Sequence, residues 1–305
     1  MAISVFEPIS PAISRTRWML FSPFDLNKWL VLGFCAFLAG LGEGGGGKFN
    51  FRTSWPGHDV EPAVDWVREH IGVIVAVAIG VYLLGFLIYL VMVWLGSRGK
   101  FMFIEGVVRN RGAVAEPWRE FRPQGNSLFR FRLCIALIAF ALVALLLTAC
   151  GLLAWHDVQR KEFGASAIAA IVGFFVGALP IWLVMWVVHL FAADFIVPVM
   201  YLRRTTVTEA WRIFYRELLQ GRGGTFALYF VARAVISLIV IGLATMVVCM
   251  TCCCAAIPYV GSVILLPLTV FVRSYSLFYI EQFGPAWRIL SAPLEVQAEP
   301  IEPEQ

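Results

Sequence analysis

The residues best equipped for chemistry form a thiol run, CMTCCC at 249–254, with Met246 and Met250 beside it. Thiolate and thioether sulfurs are soft ligands that suit copper(I), and a Cys-x-x-Cys spacing suits zinc or a redox pair. A zinc set would need a second Cys pair or a nearby His, and the sequence supplies neither. A Cys249–Cys252 disulfide requires an oxidising compartment. The simpler reading is a set of small apolar residues in a tight turn before Pro258. A second group, His58, Asp59, Glu61, Asp65, Glu69 and His70, could offer imidazole and carboxylate ligands. It reads equally as a solvated acidic helix face opened by Pro62. The glycine run EGGGG at 43–47 follows an apolar stretch and lacks the GK[ST] ending of a phosphate loop, so it reads as a flexible connection.

Ionisable residues inside apolar runs are functional candidates by default. Arg233 stands early in one such run and is expected to snorkel back to the nearer surface. His189 and Asp194 flank the end of another run, and Glu105 and Glu281 follow two more. Pro180 should kink its helix and free a carbonyl. Most of these positions lie near run ends, which favours contact with headgroups or partners over a buried ion path. His58, His70, His156 and His189 are scattered, with no HExxH, GxSxG or paired-carboxylate pattern. No catalytic, metal or cofactor set is assigned.

A different pattern repeats. VAEPWREF at 114–121 is echoed by VTEAWRIF at 207–214 and, more briefly, by PAWRIL at 285–290. Upstream, FIE at 103–105 faces FIV at 195–197 and YIE at 279–281, and Arg98, His189 and Arg273 recur at nearly matching positions. In the second copy, Thr206 and Glu209 are spaced as a capping box, and Val207, Trp211, Phe214 and Leu218 form one apolar stripe of a helix. Arg212 and Arg216 stand a turn apart, off that stripe. Such a helix can lie in the headgroup layer with its ring down and guanidinium up, each Arg gaining ~1 kcal/mol near an anionic surface. It can also be an elbow packed on its own bundle. Trp118, Arg119, Trp211, Arg212, Arg216, Trp287 and Arg288 are therefore the expected headgroup or interface contacts.

The elements that carry these residues are membrane helices. The chain has 305 residues, 60% hydrophobic and 14% charged, against about 25% charged in an ordinary soluble domain. Six apolar segments are expected to span, at about 26–42, 71–95, 132–155, 166–190, 226–250 and 257–280, all helical because lipid leaves no partner for an open backbone. Trp29, Trp94, Trp155 and Tyr279 near their ends suit interfacial aromatics. The first segment is the shortest, so it could be a tilted span, a re-entrant helix or a signal anchor; Asp25 is placed to cap it. Arginine outnumbers lysine twenty to four. Basic residues gather in the leader (Arg15, Arg17, Lys28), in 98–132, in 203–222 and at Arg288, which puts both termini in the cytoplasm by the positive-inside rule. They are divided among short connections rather than gathered on one domain face, so nucleic acid is not an expected partner.

The stretches FDLNKWLVLGFCAFLAGLGEGGGG at 24–47 and FIEGVVRNRGAVAEPWREF at 103–121 resemble an uncharacterised bacterial family of polytopic membrane proteins. That family is distantly similar to the membrane domain of glycerophosphodiester phosphodiesterases. The resemblance implies bacterial inner-membrane residence and six spans; the phosphodiesterase catalytic barrel is absent, so its activity does not carry over. The expected architecture is an all-α integral membrane protein of three related hairpins with cytoplasmic interfacial helices. Residues 1–25 form a leader, 26–290 the six-span domain and 291–305 a disordered acidic tail. The expected function is non-enzymatic: scaffolding membrane-protein partners or further copies of the chain, or engaging anionic lipid through a basic cytoplasmic face. A small-solute or lipid transporter and a membrane-embedded lipid-modifying enzyme are the alternatives.

Overall fold

The computed structural model describes residues 3–41, 71–160, 164–251 and 257–290, and every regular element among them is helical. Helices α1 (Ile9–Phe21) and α2 (Leu26–Gly40) come first. Asp25 caps α2 as its position predicts, its carboxylate accepting from the N–H groups of Asn27 at 2.9 Å and Lys28 at 3.3 Å. Then follow the 39-residue α3 (Ile71–Arg109), the short α4 (Ala115–Glu120) and the 39-residue α5 (Arg122–Arg160). Helix α6 (Ala165–Phe191) runs through Pro180 into a π turn, Ala192–Ile196, and continues as α7 (Val197–Arg203). Helix α8 (Val207–Ile213) ends in a second π turn, Phe214–Leu219, before α9 (Gly223–Met250). Helices α10 (Pro258–Ile264) and α11 (Leu266–Glu281) and a 3₁₀ turn at Pro285–Trp287 complete the described chain.

Four stretches are long and apolar enough to cross a membrane: Gly80–Arg109, Arg122–Trp155, Ile168–Arg203 and Gly223–Met250. The shortest has 28 residues, against about 20 needed for a ~30 Å hydrocarbon core. Their outer lengths carry large apolar side chains with little protein around them, such as Leu145 at 68% and Leu238 at 70% exposure. Water would not tolerate so much continuous apolar surface, but lipid does. The chain is a membrane-embedded, multi-pass helical protein.

The two remaining apolar segments differ from these four. Helix α2 has 15 residues, about 22 Å of rise, short of the hydrocarbon thickness. It lies antiparallel along the charged end of α3, where glycines admit its backbone: Gly96 sits against Leu41, Gly99 against Leu38 and Ala39, and Gly106 against Leu32. Small residues allow this close approach between helices in lipid. The segment expected as one span at 257–280 is broken at Leu265 into α10 and α11, and Pro267, near the start of α11, can donate no backbone hydrogen bond there.

Dense packing gathers at the basic end. One apolar cluster centres on Phe195, Phe214, Phe226, Tyr229 and Tyr279, and a second on Met19, Leu32, Leu38, Val270 and Leu277. Helix α11 contributes to both and forms the spine between them. Buried polar ties fix the same region. Arg15 donates to the carbonyls of Val107 and Val108, which lie unpaired at the end of α3. The fully buried Glu105 accepts from Arg109 at 2.8 Å, Arg111 at 3.1 Å and the Tyr201 hydroxyl at 2.6 Å. Glu281 accepts from the N–H groups of Ile289 and Leu290, anchoring the chain beyond α11. Burial is the largest influence on the Glu281 carboxyl and pushes its pKa up against the pull of those donors.

The α2–α3 seam predicts a contrast between two glycines. A Cβ at Gly99 would stand 2.6 Å from backbone atoms of Leu38 and Ala39, whereas one at Gly85 meets nothing within 4 Å. Gly99→Ala should cost about 1–3 kcal/mol through forced backbone shifts, and Gly85→Ala should be neutral or stabilising. Thermal unfolding of the purified variants in detergent checks this, and equal midpoints would contradict the seam.

Candidate functional site

The first π turn carries one residue more per turn than an α-helix, and here it faces Asp194 into the bundle, where it is almost wholly buried. Its Oδ2 accepts from Arg233 Nε at 3.0 Å and from the Tyr229 hydroxyl at 3.1 Å. Arg233 also donates from an NH group to Ser237 Oγ at 2.5 Å. Tyr229, Arg233 and Ser237 are spaced four residues apart, so they share one face of α9. Across the bundle, Arg273 of α11 donates to the Ala193 carbonyl at 2.7 Å, satisfying a backbone group of the π turn.

These groups line a cleft of about 380 Å³ between α2, α3, the π turn, α9 and α11. Lys100, Arg233 and Arg273 supply three cations, Asp194 one carboxylate, and Ser237 and Thr269 hydroxyls. Ala36 and Ala39 of α2, Phe103, Leu268 and Val272 make the rest of the wall apolar. At the rim, Ile241 is 60% exposed on the apolar flank of α9. The arrangement combines positive charge with an apolar wall beside lipid-facing surface. A smaller cavity of about 130 Å³ lies between α3, α5 and α6 and is also lined by Lys100, with Arg132 and His189. Arg132 NH2 stands 3.2 Å from His189 Nε2. A guanidinium has no acceptor, so it can only donate in this contact.

The residues expected to meet headgroups divide consistently. Trp118 is half-buried, edge-on to Trp94, with the Arg98 guanidinium over both rings at 4.7 and 4.4 Å. Trp211 is half-buried among Phe131, Phe191 and Phe214. Trp287 is 4% exposed, with Arg203 at 5.2 Å over its ring. Arg119, Arg212, Arg216 and Arg288 are all exposed. The stripe read at 207–218 is the inward face: Val207, Phe214 and Leu218 are buried and Trp211 partly so. In the first elbow, Arg111 bridges Glu105 and Glu116, and its hydrogen bond holds the Glu116 carboxyl below the usual range.

Several expectations need correction. Arg233 does not snorkel; its guanidinium turns to Asp194, because a nearby carboxylate compensates burial. The Thr206–Glu209 capping box does not form: Ser127 Oγ takes the Val207 N–H at 3.1 Å, and the Thr206 hydroxyl pairs with Thr208. Tyr279 is buried in the aromatic cluster rather than placed at an interface. The third Trp-Arg element is a 3₁₀ turn rather than a helix. Cys249 is a free, exposed thiol. Cys252–Cys254, the acidic group at 58–70, the glycine run at 43–47 and the tail at 291–305 lie outside the described residues. Among the described residues, no three His, Cys, Asp or Glu side chains gather as a metal set. Lys100 is the site residue that loop-charge counting obscured; its signal is a charge four residues before the Ile104–Glu105 stretch on a helix that does not stop.

The buried pair makes a specific prediction. Asp194→Ala strands the Arg233 guanidinium and should cost about 3–5 kcal/mol, as broken buried pairs do, whereas Asp194→Asn combined with Arg233→Gln should recover most of it. Thermal unfolding in detergent measures both, and equal losses in the single and double variants would contradict the pairing.

No curated protein and no solved structure matches the chain. A family model does match it, over residues 3–279. The chain, with its basic cleft and buried ion pair inside that matched length, belongs to the family of unknown function DUF7544.

Proposed function

We propose that the protein is a non-enzymatic component of the bacterial inner membrane that engages anionic lipid through a basic cytoplasmic base. The carrying observation is the division of the Trp-Arg elements: the rings of Trp118, Trp211 and Trp287 turn into the protein, and Arg119, Arg212, Arg216 and Arg288 turn out. In this reading the base lies at headgroup level, both termini are cytoplasmic, and the chain forms three related hairpins. The short α2, and α10 with α11, are the apolar segments that would supply crossings beyond the four long helices. Each hairpin then leads into one Trp-Arg element, as α4, α8 and the 3₁₀ turn do here. The same exposed arginines would also suit acidic partner proteins or further copies of the chain. A lipid-transporting role is the second reading, favoured by Lys100, which lines both cavities.

The test is lipid selectivity. In mild detergent, the full chain should retain phosphatidylglycerol over phosphatidylcholine, and the preference should weaken with salt. At ~1 kcal/mol for each basic residue near an anionic surface, replacing all four exposed arginines by glutamine should cut the preference at least tenfold. Native mass spectrometry of the lipid adducts gives the readout. Equal retention of both lipids by the unaltered protein would overturn the proposal.

A further inference from the structure

We infer that the cleft between α2, α3, α9 and α11 is a built site for the phosphate-bearing head of one anionic lipid molecule. The inference rests on the lipid-engaging reading above and adds a defined place and stoichiometry to it.

Charge is the first argument. Among the described residues, the cleft lining holds Lys100, Arg233 and Arg273 with the carboxylate of Asp194. Lys100 is buried, and the Arg233 side chain is only 14% exposed, so these cations sit largely out of water. An anion entering the cleft meets these cations in a setting of low dielectric, where the attraction is stronger than in water. A phosphate is the anion whose several oxygens match a guanidinium fork and a point-charge ammonium together.

Preorganisation is the second. Arg233 is fixed by Asp194 and Ser237, and Arg273 by the Ala193 carbonyl. Cations already held in position lose little freedom when a ligand arrives. The π turn and α11 are thus bound to one another at the point where the head would rest.

Shape is the third, and it selects a lipid over a free anion. About 380 Å³ falls within the range of small-ligand sites. Much of the wall is apolar, and the rim reaches the lipid-facing flank of α9 at Ile241. Inorganic phosphate gains nothing from Phe103, Leu268 or Val272, whereas the glycerol and upper chain carbons of a lipid do. The head would sit among the cations while its chains leave past Ile241 into the bilayer.

The experiment titrates the delipidated full chain in detergent with dihexanoyl-phosphatidylglycerol and reads adducts by native mass spectrometry. One saturable adduct per chain is expected. Arg273→Gln with Lys100→Gln should weaken it at least tenfold. Gly40→Leu is the second variant: Gly40 lines the cleft, and a Cβ there meets nothing within 4 Å, so the position admits a side chain that would occupy the cleft. It should remove the adduct while the protein remains folded, as its thermal unfolding transition checks. The quadruple replacement of Arg119, Arg212, Arg216 and Arg288 should spare it. A saturable adduct that persists in the Gly40→Leu protein overturns the inference. So does competition by millimolar inorganic phosphate or glycerol phosphate as strong as that of the lipid, which would mark a site for the free anion. An unsaturable preference that depends only on the exposed arginines removes the cleft site and leaves the broader reading standing. Loss of any anionic preference removes both.

Discussion

A carboxylate buried among membrane helices needs a cation, and the junction of the first π turn with α9 is organised around that requirement. Asp194 meets Arg233 and Tyr229 where α9 leaves the aromatic cluster. Beside the pair, α9 packs on its neighbours through rings: Tyr229 meets Tyr279 at 4.4 Å between centroids, and Phe230 meets Phe191 at 4.5 Å. The π turn that presents Asp194 gives up regular α-helical bonding, and Arg273 satisfies one of its carbonyls. Cleft, ion pair and irregular turn coincide: Asp194 of the turn and Arg233, its partner, both line the cleft.

The base gains its rigidity from a few buried carboxylates rather than from apolar packing alone. Glu105 draws Arg109, Arg111 and Tyr201 together, tying the end of α3 to α7. Glu281 does comparable work for the chain after α11, using backbone N–H groups in place of arginines. In lipid, apolar contact gives little preference of one helix for another, so polar ties and close glycine seams determine which helices associate. Both devices occur here at one end of the bundle, and the apolar lengths beyond that end pack more loosely.

Much of the helical framework was legible in sequence because it depends on local properties. Run length and apolarity marked the four long helices, Asp25 announced its cap, and the spacing of Val207, Trp211, Phe214 and Leu218 gave one apolar stripe, though not whether it faces lipid or protein. The short first segment was visible as short. The division at Leu265 was signalled by Pro267, but unbroken hydropathy on both sides hid it. The cleft was not legible, because it is made of residues far apart in the chain: Asp194 and Arg233 are separated by 39 positions and Ala193 and Arg273 by 80. Such pairings depend on which faces of distant helices meet. The capping box failed for a related reason, since Ser127, 80 residues away, offers the Val207 N–H its acceptor.

The proposed engagement of lipid requires the exposed arginines to lie on one side of the membrane. Site-directed labelling tests this most directly: Arg119→Cys, Arg212→Cys and Arg288→Cys, each treated with a membrane-impermeant maleimide on sealed vesicles of each orientation and located by peptide mass. All three positions should react only in vesicles whose cytoplasmic face is outward. Reaction of any one of them from the opposite face would contradict the account.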